Sequence, residues 1–185
     1  MDEKSTYDVI VIGAGHAGIE ASLAATRMGC QTALVTMDLN AIGRMSCNPA
    51  IGGSAKGHLV REIDALGGEM GKLADATGIH FRMLNKSKGP AIWSPRCQND
   101  REWYSREAAR RVLSQPNLAV LRDSIVDIFV EDNILKGVIT QSGRHLRCKA
   151  LVICSGTFLN AIMHTGRNAV AGGRYQEPPS TGLSD

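Results

Sequence analysis

Residues 7–12, YDVIVI, are apolar and β-branched, with no helical stripe. That is the pattern of a strand covered on both faces in a parallel sheet. GAGHAG follows at once. IEASLAATRMG is then rich in alanine and other good helix formers and stops at Gly29, which predicts a helix with a glycine at its C-terminal cap. CQTALVT, residues 30–36, predicts a second strand. Strand, helix and strand with short connections make a β-α-β unit. Residues 38–57 predict a Gly/Asn/Pro loop, and residues 58–71 a helix interrupted by Gly67 and Gly68. A polar, basic segment covers 80–101, and an arginine-rich helix is expected over 101–114. Beyond Asn117, apolar runs end in IVDIFVED, and DNILKGVITQSGRHLRCKALVICSG then alternates, with turn signals at Asn133 and at Ser142-Gly143. This predicts an antiparallel meander returning to a final buried strand, ALVIC. PPSTGLSD reads as the opening of a further element, so a chain cut from something longer is expected. No internal repeat or low-complexity tract is visible.

The 185 residues are 43% hydrophobic and 21% charged. That suits one globular domain with a real core. A net charge of +3 is too small to point to a polyanion partner. The cysteines Cys30, Cys47, Cys97, Cys148 and Cys154 are odd in number and make no C-x-x-C pair. This argues against a disulfide scaffold and a zinc site, and for a reducing cytoplasm. MDEKSTYD is polar and acidic, unlike a secretory leader, and VIVI is too short to cross a membrane.

Gly13, Gly15 and Gly18 match G-x-G-x-x-G between the first strand and its helix. The first glycine permits the turn, the second lets a pyrophosphate approach the backbone, and the third packs helix on strand; the helix N-terminus then holds the phosphates. The alternative is a glycine-lined packing contact. The acidic residue expected at the end of the second strand is displaced. Thr36 stands at that end and Asp38 two residues on, and either can bond a ribose. A simple NAD domain continues strand-helix-strand after residue 36. Here a long polar insertion and a meander come instead. LVICSGTF, with Ser155-Gly156, resembles the motif that closes the FAD domain of the two-dinucleotide-binding flavoproteins. The fold expected is α/β, a Rossmann-like FAD-binding domain of that type.

SCNPAIGGSAKG, residues 46–57, sets Cys47 beside an Asn-Pro turn and a glycine run. GAGHAGIEAS, MSCNPAIGGSAKGHLVREIDALGGEMG, FRMLNKSKGPA and the closing PPS together resemble one family, the FAD-containing tRNA uridine 5-carboxymethylaminomethyl modification enzymes, GidA or MnmG. The resemblance runs from about residue 7 to the end. Family members are much longer, so it implies that residues 1–185 are the N-terminal part of the FAD domain, without the NADH-associated insertion or the C-terminal helical region. It implies a flavin site drawn from Gly13, Ala14, Gly15, His16, Ala17, Gly18, Thr36, Ile125, Gly156 and Ser180. His16 would serve there mainly through its backbone.

The resemblance also implies a reaction at C5 of the wobble uridine of tRNA. Methylenetetrahydrofolate would give the carbon, ammonium or glycine the amine, and NADH the electrons through FAD. The GTPase MnmE would be the partner, with a homodimer joining it in a heterotetramer and no membrane involved. A thiolate adding at uridine C6 makes C5 nucleophilic, and a thiol can also shuttle a proton. Cys47 is the candidate for either, with Lys56 and loop N–H groups favouring the thiolate. Gly52, Gly53 and Gly57 would let the flavin or base come close. The plain alternative is a small packing thiol, the reading taken for the strand cysteines Cys30, Cys148 and Cys154. Cys97 stays undecided. Between Arg82 and Arg111, eight basic residues face three acidic ones, with Trp93, Trp103 and Tyr104 interleaved. This suits RNA phosphates and exposed bases, or simply a solvated helix face. Lys56, Lys86, Lys88 and Arg96 are the RNA-contact candidates. Rival readings are a generic FAD oxidoreductase such as a disulfide reductase, a non-catalytic FAD-binding module, and a folate-dependent tRNA methyltransferase. A disulfide reductase needs a second cysteine near Cys47.

Overall fold

A computed structural model describes residues 6–183. The polar first five residues and the last two, the end of the PPSTGLSD segment, lie outside it. The β-branched run forms β1 (Thr6–Ile12) and the alanine-rich run α1 (His16–Arg27). Strand β2 (Thr32–Thr36) is buried at every position, as a strand covered on both faces must be. A short β3 (Ala50–Gly52) leads to α2 (Lys56–Ala65) and α3 (Met70–Thr77). Then come β4 (Gly78–Leu84), β5 (Ser94–Asn99) and α4 (Arg101–Leu113). The second half holds β6 (Leu118–Arg122), β7 (Ile125–Glu131), β8 (Ile134–Thr140) and β9 (His145–Ile153), followed by the ribbon β10 (Ile162–Thr165) and β11 (Asn168–Ala171).

The main sheet has the order β6-β2-β1-β9-β8-β7. Its first four strands are parallel and the last two antiparallel. The expected parallel sheet with an antiparallel meander is therefore present. Strand β9 joins the two parts: Arg147 faces Gly137 of β8 and Thr6 of β1 at once. One apolar layer lies between the parallel strands and α1, α3 and α4, with Val11, Ile19, Leu23, Leu34, Leu73 and Tyr104 buried. The other lies under the meander, with Tyr7, Ile10, Val35, Ile125, Val138 and Leu146.

Four expectations need correction. ALVIC is not a buried strand: Val152 and Ile153 are 37% and 47% exposed, because no layer covers that part of β9 among the described residues. The helix expected over 58–71 is interrupted at Gly67, φ +85°, as expected, but its two pieces begin earlier, at Lys56, and run on to Thr77. The polar segment 80–101 hides two strands. With β3 they form a separate sheet of order β3-β5-β4, whose charged residues mask the alternation. Cys30 and Cys154 flank strands and do not lie in them; both are half-buried, while Cys148 is buried in β9.

Helix α3 begins without a side-chain cap of its own, and Glu20 of α1 supplies one. Its carboxylate accepts the N–H groups of Glu69 and Met70, at 2.9 and 2.6 Å. Glu69 in turn pairs with Arg111 of α4 at 2.7 Å, which ties three helices over the sheet. No helix among the described residues is long and apolar enough to cross a membrane.

Candidate functional site

The C-terminal ends of β1, β2 and β9 meet at one cavity. Gly13, Ala14 and Gly15 line it from the turn after β1, and Thr36 and Asp38 from the end of β2. Ile125 comes from the start of β7. Cys154, Ser155, Gly156 and Phe158 follow β9, and Arg174, Glu177 and Ser180 close it from the last segment. Seven of the ten residues expected around the dinucleotide thus share one space. The other three, His16, Ala17 and Gly18, form the first turn of α1 and do not line it.

Each glycine of the turn has a distinct reason. Gly13 takes φ +97°, and a Cβ there would run into the Cys154 carbonyl; at Gly18 it would run into the Gly13 carbonyl. At Gly15 a Cβ meets nothing within 4 Å, so the turn is open on its cavity side. Gly15 is also the N-cap of α1, with no side-chain cap and no acidic residue in the first turn. Free N–H groups and the positive end of the helix dipole therefore stand where an anion can sit. A buried pyrophosphate fits these residues.

Asp38 is not free to bind a ligand alone. Its side chain accepts the Asn40 N–H at 2.9 Å and an Arg44 guanidinium N–H at 3.1 Å. Arg44 also donates to Glu177 at 2.8 Å, so a half-buried ion triad crosses the cavity from the β2 end to the closing segment. The Thr36 hydroxyl donates to the Asp38 carbonyl at 3.3 Å. Ser180 is fixed by its N–H on the Phe158 carbonyl, 2.8 Å, which folds the closing segment over the loop after β9.

His16 packs its ring on Tyr104, centroids 5.5 Å apart. Its Nε2 and the Tyr104 hydroxyl are both buried without a partner among the described residues. Burial, and then the charges of Lys56 and Arg174, hold the imidazole below its ordinary range, so it stands neutral.

The only exposed cysteine among the described residues is Cys47. Arg101, at the start of α4, donates to its backbone carbonyl at 2.9 Å and pins the loop. The neighbouring Ser46 lines an open groove with Arg101, Tyr175, Arg44, Arg174 and Glu177, and the last three also line the glycine-turn cavity. The thiol loop thus adjoins the groove that continues that cavity. Lys56 begins α2 and its charge acts on His16, so the cation tied to the Cys47 loop is Arg101. Gly52 and Gly57 do not line the glycine-turn cavity. A Cβ on either would press on the Pro95 carbonyl, and Gly53 donates its N–H to that same oxygen at 2.8 Å. These glycines let β3 and α2 close on β5.

Of the RNA-contact candidates, Lys86 and Lys88 stand exposed on a single 3-10 turn. Arg96 lies on β5 and lines a different cavity, described below. Sequence reasoning missed Arg44, Arg174 and Glu177; it placed Arg101 and Tyr104 only in the basic, aromatic stretch, where Tyr104 is fully buried and cannot stack on an exposed base. Arg44 lies in the loop after β2, and nothing local joins it to Glu177, 133 residues away.

The parallel sheet, the glycine turn opening α1 and the meander define a Rossmann-like dinucleotide-binding fold of the flavoprotein type. Comparison with known proteins agrees. The model of the family "glucose inhibited division protein A" matches residues 8–185, and the chain belongs to that family. A relative from Protochlamydia amoebophila, the tRNA uridine 5-carboxymethylaminomethyl modification enzyme MnmG, is 54% identical over 96% of this chain and 28% of its own length. The solved structure of Aquifex aeolicus GidA superposes with a TM-score of 0.93 at 52% identity, covering 97% of this chain and 30% of that one. PqsL of Pseudomonas aeruginosa, described as a probable FAD-dependent monooxygenase, shares the fold alone: TM-score 0.57 at 17% identity, over 79% of this chain and 41% of that one. The chain spans less than a third of the length of the curated relatives it matches.

Proposed function

We propose that this chain is the N-terminal part of the FAD-binding domain of an enzyme that modifies C5 of the wobble uridine of tRNA. The observation that carries the reading is the cavity at the ends of β1, β2 and β9, where seven residues of the expected flavin site converge on an open, uncapped helix N-terminus. The names of the relatives support the tRNA substrate. FAD held there would supply hydride chemistry, with NADH as its reductant and methylenetetrahydrofolate as the one-carbon donor. In this reading the first-turn N–H groups of α1 hold the pyrophosphate, and Thr36 or the Asp38–Arg44 pair meets the ribose. Ile125, Gly156 and Ser180 wall the cofactor in. His16, kept neutral, adds no charge against the phosphates.

Cys47 acts on the base. Its thiolate adds to uridine C6, C5 then attacks the one-carbon electrophile and forms the new C–C bond, and loss of the C5 proton with cleavage of the C6–S bond releases the thiolate and restores the ring. Exposure of the loop next to the cationic groove supports that role. Lys56, Lys86, Lys88 and Arg96 contact tRNA phosphates. The enzyme works in the cytoplasm as a homodimer, with the GTPase MnmE in a heterotetramer. The disulfide-reductase reading finds no support: Cys97 is buried with its thiol on the Ala74 carbonyl, 3.4 Å, and no thiol partners Cys47 among the described residues.

The test is mass spectrometry of wobble uridines from cells lacking the gene, with and without complementation. Loss of the C5 aminomethyl-type group, restored by the gene, is expected. Unchanged nucleosides would overturn the reading, and loss of a methyl group elsewhere in tRNA would favour the methyltransferase.

A further inference from the structure

A second cavity, of about 380 Å³, lies between α2, α3 and the small sheet and shares no lining residue with the glycine-turn cavity. Its wall combines Arg61, Arg82 and Arg96 with Phe81 and Met83. Two features of it are unfavourable in the protein by itself.

The first is electrostatic. Arg82 of β4 stands directly opposite Arg96 of β5. Like charges in register across an antiparallel pair destabilise it. Among the described residues neither has an ion pair, and Arg96 donates only to Gln98, at 3.5 Å. Arg61 also has no ion pair. Asp64 and Asp75 line the same cavity without pairing to any of the three, so the balance stays positive.

The second is apolar. Phe81 is 59% exposed and Ile79 is 66% exposed, both on β4, the edge strand of its sheet. A ligand reaching round that free edge meets Phe81 on one face and Arg82 on the other. Lys86, Lys88 and the 41% exposed Trp93 extend the surface beyond β4, where the Trp93 indole N–H donates to the Lys86 carbonyl at 3.3 Å.

We propose that this cleft seats an unpaired nucleotide of the substrate RNA, its base against Phe81 and its phosphates on Arg82 and Arg96. The inference rests on the tRNA reading above and adds a site to it. Splayed bases stack on aromatic rings while guanidiniums take the backbone, and this wall offers both at once. A phosphate between Arg82 and Arg96 also removes the repulsion that the empty sheet face carries.

The test uses the FAD-loaded protein and an unmodified tRNA transcript, with affinity measured across a salt series. Arg82→Gln should weaken binding and flatten the log–log salt slope by about 0.7, one single-strand phosphate contact. Its thermal midpoint should not fall, since a like-charge pair is relieved. Phe81→Ala should weaken binding roughly five- to hundredfold and leave the slope unchanged. Phe81→Leu keeps an apolar side chain and removes the aromatic face, so it should show the same loss if Phe81→Ala folds poorly. Parent-like affinity in Arg82→Gln and Phe81→Leu would overturn the site while leaving the tRNA reading intact. A parent protein that does not bind the transcript would overturn both. Retained RNA affinity with a changed sedimentation coefficient would make the cleft a protein interface and overturn the proposal.

Discussion

Cys47 and Cys97 show how far surroundings decide what a thiol can do. Burial first, and then Asp75, push the Cys97 thiol up, and its S–H is spent on a carbonyl. Cys47 is in solvent, on a loop held by Arg101. Cys47→Ser should therefore keep fold and flavin and lose most wobble-uridine modification, because a hydroxyl is a far poorer nucleophile than a thiolate. Flavin reduction by NADH should survive. The paired assays are absorbance bleaching and nucleoside analysis on one purified variant; normal modification would leave Cys47 a packing residue. His16 sets a pH dependence. Its folded value is lowered from 6.5, so the unfolded chain takes up a proton that the folded chain refuses. Stability is complete above about pH 6.5 and falls as pH drops from there toward the depressed value. A thermal-midpoint series from about pH 7.5 to 5 should show that fall, and His16→Gln should flatten it. Equal slopes in both proteins would remove His16 as the cause.

At the level of elements, those driven by local chemistry were legible and those driven by pairing were not. Cavity members far apart in the chain, such as Ile125 and Ser180, came only from the family resemblance, whereas the strand β1, the glycine turn and α1 followed from apolar runs and glycines adjacent in sequence. The meander's turns at Asn133 and Gly143 followed for the same reason, since both take positive φ. The small sheet was hidden because β4 and β5 carry His80, Arg82, Arg96 and Gln98, and only pairing reveals them as strands. The packing role of Gly52 and Gly57 was hidden because it rests on Pro95, far along the chain. Helix α4 shows the legible kind. Asp100 accepts the Trp103 N–H at 2.7 Å as N-cap. Asp100→Ala should cost about 1 kcal/mol, read as a lower denaturation midpoint at unchanged m-value. A midpoint equal to the parent's would mean that the Asp100 N–H···O=C bond to Thr77, 3.0 Å, fixes the helix start without the side chain.

Across the whole molecule, two apolar layers are complete and one sheet region is not. Val152 and Ile153 of β9 lie half-open beside a strand edge, and the relatives are more than three times as long. Everything in the functional account passes through the cofactor cradle, so its most direct test is at Gly15. That position has an ordinary φ of −73° and empty space where a Cβ would go. Gly15→Asp should therefore fold with a near-parental thermal midpoint in the cofactor-free protein. Its carboxylate would stand against the pyrophosphate and compete for the same N–H groups. The measurement is the ratio of flavin to protein absorbance after purification and reconstitution, with Gly15→Ala as the control for bulk. The account predicts a yellow parent, a Gly15→Ala that retains flavin more weakly, and a colourless but folded Gly15→Asp. Full flavin occupancy in Gly15→Asp would contradict it.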